Sequence, residues 1–529
     1  MADASVPLLT TTAALQRWCS SMRRERALHF VPTMGALHAG HQRLIARAAA
    51  PAPGGQPAVL VSVFVNPLQF APGEDFNRYP RTLEQDLARA AGAGAGAVWA
   101  PDAASIYPDG LQQVTRLQPP LALTGVLCGR SRPGHFEGVA TVVARLLALV
   151  KPDRLFLGEK DWQQLVVLRR VLADLALPLK ISGIATVRDA DGLALSSRNA
   201  YLSAAERQQA RALPQALQAA AAAAAAGSSD AAALLELVRA QLQAAALAVD
   251  YVACVAPHTL SPLRRCDGLS LLAAAVHCGS ARLIDHVFLM TRAPIVAIDG
   301  PAGAGKSTVT KAFAARLALV YLDTGAMYRA LTWWVQRQGV DPGDAAAVAP
   351  LLVGLDLQLG AAAGASGGAQ CVTINGHDVT EAIRSPEVTA LVSTVAAHGC
   401  VREALTAQQQ AMGRRGGLVA EGRDIGTAVF PDAELKVFLT ATVAERARRR
   451  ALDLAQRGFA VPELAELEAQ IAERDHLDSS REIAPLQQAP DAIELITDGM
   501  SIDAVIEQLV DLFRARVPED AWPPQPQQP

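Results

Sequence analysis

Ile295-Val-Ala-Ile-Asp299 runs straight into Gly300-Pro-Ala-Gly-Ala-Gly305-Lys306-Ser307. An apolar run followed by Gly-x-x-x-x-Gly-Lys-Ser predicts a strand, a glycine-rich turn and a helix. The glycines let successive N–H groups wrap phosphates, the lysine neutralises them, and the serine hydroxyl can ligate Mg²⁺. A second phosphate-handling stretch lies far upstream, Pro32-Thr-Met-Gly-Ala-Leu-His38-Ala-Gly-His41, again between a β-like and a helix-like run. Here two imidazoles flank a helix N-terminus, where free N–H groups and the macrodipole already favour phosphate. Neither half repeats the other's motif, so the chain reads as two enzymes fused end to end.

The bulk numbers agree with that division. At 529 residues the chain exceeds what one core accommodates. Hydrophobic residues are 51% and charged residues 19%, which excludes a disordered chain. The opening residues lack the basic and apolar regions of a signal peptide, and no stretch is apolar enough to span a bilayer. A formal net charge of -3 offers no global basic excess for a nucleic-acid backbone. Seven cysteines without a CxxC pair suggest reduced thiols and a cytoplasmic setting, with no disulfide framework and no zinc knuckle.

Strands are expected at Leu28–Val31, Ala58–Val65, Ala97–Ala100 and Arg154–Leu157, with helices after His38, over Phe136–Val150 and after Asp161. Such alternation predicts a parallel sheet wrapped by helices. Beyond Tyr201 the texture becomes Ala-rich helix, stopping at Gly227-Ser-Ser-Asp230, a helix end and next N-cap. Val249–Val255 and Arg282–Phe288 read as strands of a smaller α+β subdomain. A second α/β pattern restarts at Pro294, with strands Ile295–Asp299, Leu418–Glu421, Leu435–Thr440 and Ile493–Thr497, and a closing helix near Ile502–Arg516. Between Leu355 and Val379 a hairpin turning on Asn375-Gly376 is expected. The expected domains are 1–187, 188–290 and 293–517, with a disordered tail at 518–529.

In the first half, glycine between the histidines admits a nucleotide close to the backbone. Two imidazole donors can stabilise charge on a triphosphate attacked at its α-phosphorus. Structural histidines capping a helix would look the same. Gly158-Glu159-Lys160-Asp161 falls at the carboxyl end of a strand, where open α/β sheets bind ligands. Lys160 can meet phosphate and Asp161 can accept from ribose hydroxyls. Leu195-Ser196-Ser197-Arg198 offers two hydroxyls and a guanidinium to β- and γ-phosphates. Either segment alone could be an ordinary surface loop.

Residues 1–290 resemble pantothenate synthetase throughout, including Val63-Phe-Val-Asn66-Pro-Leu-Gln69-Phe70, Arg132-Pro-Gly-His135-Phe-Glu-Gly138 and Phe156 to Gln164. The resemblance implies a Rossmann-like domain of the HIGH-type nucleotidylyltransferase class with a small α+β lid. It implies that pantoate attacks ATP to give pantoyl adenylate and pyrophosphate, after which β-alanine displaces AMP. On that likeness Met34, Gly35, Ala36, Leu37, His38, Ala39, Gly40 and His41 hold ATP, with His41 as the catalytic histidine and His38 and Lys160 also catalytic. Gly158, Glu159, Lys160, Asp161, Val187, Leu195, Ser196, Ser197 and Arg198 complete the nucleotide site. Gln69 and Gln164, with Asn66 and His135, bind pantoate and β-alanine. A homodimer through this half is also implied.

In the second half, arginines at 446–450, 474 and 481 favour a small-molecule kinase over a motor or switch NTPase, although a solvated helix face explains the first group nearly as well. Residues 293–517 resemble bacterial cytidylate kinase in Leu322-Asp-Thr324-Gly-Ala-Met-Tyr328-Arg329, Glu421-Gly-Arg423-Asp424-Ile-Gly-Thr427 and Glu473-Arg474-Asp475-x-x-Asp478-x-x-Arg481. The likeness implies a P-loop nucleoside-monophosphate kinase fold that phosphorylates CMP or dCMP with Mg-ATP. Gly300, Pro301, Ala302, Gly303, Ala304, Gly305, Lys306, Ser307 and Thr308 would hold ATP, Lys306 would be catalytic and Ser307 would ligate Mg²⁺. Arg329 and Arg423 would grip the CMP phosphate beside Thr324. Ser393, Arg402 and Asp424 would read cytosine, with Arg474, Asp478 and Arg481 at the acceptor ribose or transferred phosphoryl.

Two other whole-chain readings exist. One half could be a nucleotide-sensing module, though intact Lys160, Lys306 and both histidines argue against decay. A tRNA-charging fragment fits poorly, because the chain has neither a basic excess nor an anticodon-binding extension.

Overall fold

The computed structural model describes residues 6–360, 370–456, 458 and 460–524. The chain divides into two compact units: Met1–Thr291 with Val517–Pro523, and Arg292–Arg516 with Pro524–Pro529.

The first unit is built on strands β1 (Leu8–Leu9), β2 (Leu28–Thr33), β3 (Ala58–Val63), β4 (Ala97–Trp99), β5 (Arg154–Gly158) and β6 (Lys180–Ile184). They form a parallel sheet ordered β1-β4-β3-β2-β5-β6. β2 and β3 are apolar along nearly their whole length because helices cover both faces, as a central parallel strand requires. Strand order reverses at β2, so the crevice at the carboxyl ends of β2 and β5 is the topological switch point. The helix Ala39–Ala48 opens from that end of β2, and the 3-10 turn Glu159–Asp161 leads from β5 into the helix Trp162–Asp174. The largely buried helix His135–Val150 crosses the turn Pro67–Gln69 at close range. A Cβ on Gly138 would lie 2.2 Å from the Leu68 carbonyl oxygen, so only glycine allows this crossing.

The remainder of the unit is an antiparallel sheet, β7 (Ala248–Val255), β8 (Ser270–Cys278) and β9 (Ala281–Leu289), ordered β7-β8-β9. The helices Ala212–Ala225 and Ala231–Ala244 cover it, with Leu213, Leu217, Leu234 and Val238 packed against Leu272, Ala274 and Val276. The alanine run thus serves close helix packing, and Asp230 caps the second helix by accepting from the Ala232 amide at 3.2 Å.

The second unit is a parallel sheet of β10 (Ile295–Asp299), β11 (Val320–Asp323), β15 (Leu418–Gly422), β16 (Leu435–Thr440) and β17 (Ile493–Ile496), ordered β11-β15-β10-β16-β17. β10 is wholly buried at the centre, as its unbroken apolar run predicts. Helices Lys306–Leu317 and Ile502–Arg516 pack together, Phe313 meeting Phe513 edge-on. A small antiparallel sheet, β12 (Leu357–Gly360), β13 (Cys371–Ile374) and β14 (His377–Asp378), turns on Asn375 and Gly376, both with positive φ. This is the turn geometry that Asn-Gly favours. The Ala/Gly-rich stretch 361–369 lies outside the described residues.

The tail differs from expectation. Residues 517–523 group with the first unit, with Val517, Pro518 and Glu519 buried, while 525–529 lie outside the described residues.

Candidate active sites

In the first unit a cavity of about 310 Å³ opens at the switch point. It is lined by Met34, His38, Gly40, His41, Asn66, Gln69, His135, Gly158, Lys160, Asp161, Gln164, Val187, Leu195, Ser196, Ser197 and Arg198. Five residues expected in the nucleotide site do not line it. Leu37 is core, and the amides of Ala36 and Leu37 are taken by the buried Asp86 carboxylate at 3.0 and 2.7 Å. Gly35 sits against that same carboxylate, Ala39 is exposed, and Glu159 points away and is 1% exposed.

The two histidines cap the helix and also face the cavity. His38 Nδ1 accepts from the Gly40 amide at 3.2 Å, and His41 Nδ1 accepts from the His38 amide at 3.3 Å. Because each Nδ1 is an acceptor, the neutral ring must carry its proton on Nε2, which fixes a donor. Burial is the main reason both imidazoles stay neutral: His38 is pulled down to about 4, helped by the Lys160 charge, and His41 to about 3, helped by His38. His135 is lowered to about 4, by burial first and then by Arg132.

The amide side of the cavity is a locked network. Tyr107 donates to Asn66 Oδ1 at 2.8 Å, and Asn66 Nδ2 donates to Gln69 Oε1 at 3.2 Å and to the Gly138 carbonyl at 3.1 Å. His135 Nδ1 lies 2.9 Å from the Gln69 carbonyl. Two cations arrive already paired: Arg198 forks onto Asp75 at 2.9 and 3.0 Å, and Arg132 onto Glu74 at 2.9 and 2.6 Å. Ser197 meets the Tyr79 hydroxyl at 3.0 Å. Asp161 stays below the usual carboxylate range because Lys160, Arg198 and His135 outweigh the cost of burial. Sequence reasoning missed Asp75, Asp86, Tyr79 and Tyr107; no local motif marks them, since each partner is distant in sequence.

In the second unit a cavity of about 690 Å³ lies over the carboxyl ends of β10, β11 and β15. Ala302 through Thr308, Thr324, Arg329, Ser393, Arg402, Arg423, Asp424, Arg474, Asp478 and Arg481 line it. Gly300 and Pro301 do not, but their carbonyls accept from Lys306 Nζ, both at 2.8 Å. Gly300 has φ +145°, and a Cβ there would lie 2.0 Å from the Leu439 carbonyl oxygen, so the loop can start only with glycine. Lys306 is 7% exposed, and burial holds its ammonium well below the usual lysine range.

Ser307 donates to Glu421 Oε1 at 2.6 Å, leaving buried Glu421 Oε2 without a hydrogen-bond partner. Burial, with the Asp323 charge, raises Glu421. Asp299 accepts the amides of Ile425 and Gly426 at 2.8 and 2.7 Å, and burial lifts it to about 6. Arg402 pairs with Asp424 in a buried contact and lies over Tyr328 at 5.6 Å. Arg423 and Arg481 share Asp478, and Arg329 meets Asp323 at 3.0 Å. Arg446 and Arg449 donate to the loop carbonyls of Ala302 and Ala304 at 3.1 and 3.2 Å, so neither is merely a solvated helix face. Glu421, Asp299 and Tyr328 stood inside quoted motifs, but their roles depend on contacts that spacing does not reveal.

The first unit is thus an α/β fold with paired histidines at its switch point, the second a P-loop kinase fold. A family model described as pantoate-beta-alanine ligase matches residues 7–288, and one described as cytidylate kinase matches 296–515. The bifunctional pantoate ligase/cytidylate kinase of Parasynechococcus marenigrum (strain WH8102) is 66% identical over 98% of this chain and 99% of its own length. That of Prochlorococcus marinus (strain MIT 9313) is 64% identical over 94% of this chain and 98% of its own. The crystal structure of pantothenate synthetase from Thermus thermophilus is similar at 46% identity and TM-score 0.50, covering 53% of this chain and 99% of that one. The chain belongs to the bifunctional pantoate ligase/cytidylate kinase family: it is a pantoate–β-alanine ligase and a cytidylate kinase in one polypeptide.

Proposed function

We propose that the ligase activity runs through pantoyl adenylate in the 310 Å³ cavity. The single observation that carries this reading is the pair of neutral imidazoles, each with Nδ1 engaged and a proton left on Nε2. Neutral donors can stabilise negative charge growing on the α-phosphate when the pantoate carboxylate attacks, without gripping ground-state ATP as strongly as two cations would. Lys160 meets the phosphates, Asp161 takes ribose hydroxyls, and Ser196, Ser197 and Arg198 clamp the outer phosphates while Asp75 gives up Arg198. Gln69, aligned by Asn66 and His135, and Gln164 bind the pantoate hydroxyls and carboxylate. The adenylate hydrolyses readily, so exclusion of water while β-alanine attacks is part of the design, and the subdomain over 188–290 would serve as the lid.

In the kinase, ATP occupies the loop Gly300–Thr308 and CMP or dCMP the arginine-lined end. Arg329 and Arg423 hold the acceptor phosphate beside Thr324, with Arg474, Asp478 and Arg481 around the ribose and the transferred group. Ser393, Arg402 and Asp424 read cytosine. Oxygen donors suit Mg²⁺, and the Ser307 hydroxyl beside the unpartnered Glu421 oxygen fits it. Bound there, Mg²⁺ would neutralise charge on the ATP phosphates. Catalysis is then positioning and charge neutralisation. A homodimer through the ligase half rests on the family resemblance and is read out by sedimentation.

The test is ³¹P NMR of the full chain with Mg-ATP, pantoate and β-alanine, and separately with CMP, each repeated with Lys306→Ala. AMP with pyrophosphate must persist in the variant while ADP with CDP disappears. If AMP and pyrophosphate also disappear, or CDP survives, the two sites are not assigned as proposed.

A further inference from the structure

Residues 517–523 lie beyond both family matches, which end at 288 and 515, yet they pack onto the ligase unit. The chain turns at Pro518, whose carbonyl accepts the amides of Ala521 and Trp522 at 3.2 and 3.0 Å. Its acidic pair reaches two loops at once. Buried Glu159 accepts the amides of Glu519 and Asp520 at 2.9 and 2.8 Å. Glu519, 2% exposed, accepts from the Ala185 amide at 3.2 Å and pairs with Arg47 at 3.1 Å. Asp520 accepts from the Thr186 amide at 2.9 Å and hydroxyl at 2.6 Å, and faces His286 Nε2 at 3.6 Å.

Those loops border the nucleotide cavity. Glu159 immediately precedes Lys160 and Asp161 after β5, while Ala185 and Thr186 immediately precede Val187 after β6. The segment 517–523 therefore closes a bridge between the ends of β5 and β6, built from backbone and hydroxyl hydrogen bonds to acidic side chains, with Glu159 itself lifted to about 7 by burial and the Asp520 charge. Glu159 explains why the bridge matters. A carboxylate this buried is costly without donors, and removing the segment takes away both amides it accepts. The loop carrying Lys160 would have to rearrange to satisfy it.

We propose that Glu519 and Asp520 are positioning residues of the ligase, and that the segment after the kinase domain completes the ligase's ATP site by fixing the Lys160 and Val187 loops. They touch no substrate and act through Glu159, Ala185 and Thr186. The reading rests on the assignment of that cavity to ATP, and pantoate-dependent ATP–pyrophosphate exchange by His41→Ala tests that separately.

The experiment uses the full chain, a chain ending at Arg516, the double variant Glu519→Ala/Asp520→Ala, and the conservative Glu519→Gln/Asp520→Asn. Ligase rates are measured against ATP and against pantoate, with CMP phosphorylation in the same samples as a control for folding. The truncated and alanine proteins should show a KM for ATP raised about ten-fold, with KM for pantoate and all kinase constants within about two-fold. The Gln/Asn protein keeps the side-chain acceptors and should recover most of the loss. If the truncated chain lacks kinase activity it has misfolded, and the alanine double variant decides alone. An unchanged KM for ATP in that variant, or equal rises in both substrate KM values, overturns the proposal.

Discussion

Asp424→Ala separates what holds the kinase pocket together from what it recognises. Arg402 and Asp424 are 4% and 5% exposed, and the guanidinium is further held by the Ala396 carbonyl at 3.2 Å and the Tyr328 ring. Truncating the aspartate strips a nearly buried guanidinium of its carboxylate, and breaking one side of a buried pair costs about 3–5 kcal/mol. For a unit of this size each kcal/mol lowers the midpoint by about 2–4 °C, so a fall of about 6–20 °C is expected. The assay is thermal inactivation of CMP phosphorylation, with ligase activity followed in the same tube as an unaffected reference. Replacing both partners, Arg402→Met with Asp424→Leu, should restore most of the stability, because it removes the stranded charge. It should leave CMP selectivity over UMP and AMP reduced about ten- to a hundred-fold, the worth of a hydrogen bond to a charged group. A single variant whose midpoint moves by less than about 2 °C would falsify this account of the pair, as would a double variant no more stable than the single.

Two further outcomes concern the paired histidines. His41→Ala should slow pantoate-dependent ATP–pyrophosphate exchange about a hundred-fold or more, the usual cost of one charge-stabilising donor, with the fold retained by circular dichroism. With His41 held near 3 and His38 near 4, neither ring titrates in the neutral range, so the ligase rate should show no imidazole inflection between about pH 6 and 8. The unfolded rings bind protons below about 6.5 and the folded ones do not, so their contribution to ligase-unit stability is full above that pH and falls as pH drops towards 4, while Glu159, lifted by burial to about 7, contributes in the opposite sense. Urea unfolding of the chain and of His41→Ala at several pH values reads the histidine share, and a pH dependence that the substitution leaves unchanged contradicts it.

The parts legible in the sequence were those whose signal is local. β2, β5 and β10 carry short apolar stretches (Phe30-Val31, Leu155-Phe156-Leu157 and Ile295 to Ile298) that open onto glycine or histidine motifs, and both cavities lie where those strands end. β8 was not legible: Ser-Leu-Leu-Ala-Ala-Ala-Val-His-Cys has the alanine content of a helix, yet it is the middle strand between β7 and β9. Pairing on both edges there overrides intrinsic propensity. β1, β6 and β11 are short or mixed in polarity and sit at or beside sheet edges, where patterning is weak. Glu159 was read with Gly158, Lys160 and Asp161 as one segment, and those three neighbours do line the cavity. Its true partners lie some 360 residues onward. A segment ending in Pro and Gln repeats gives no sign that its preceding Glu519-Asp520 is an anchor.

Five arginines facing the two cavities are already paired with a carboxylate: Arg198 with Asp75, Arg132 with Glu74, Arg329 with Asp323, Arg402 with Asp424, and Arg423 with Asp478. Nucleotide and acid substrates bound as proposed would therefore enter by ion exchange within the protein, one anion relieving another. Such a site would disfavour stray inorganic anions, since a weak competitor must displace a carboxylate that is already tethered beside the guanidinium. Each displaced aspartate or glutamate would then be free to turn towards a hydroxyl, an amine or a cation that comes with the substrate.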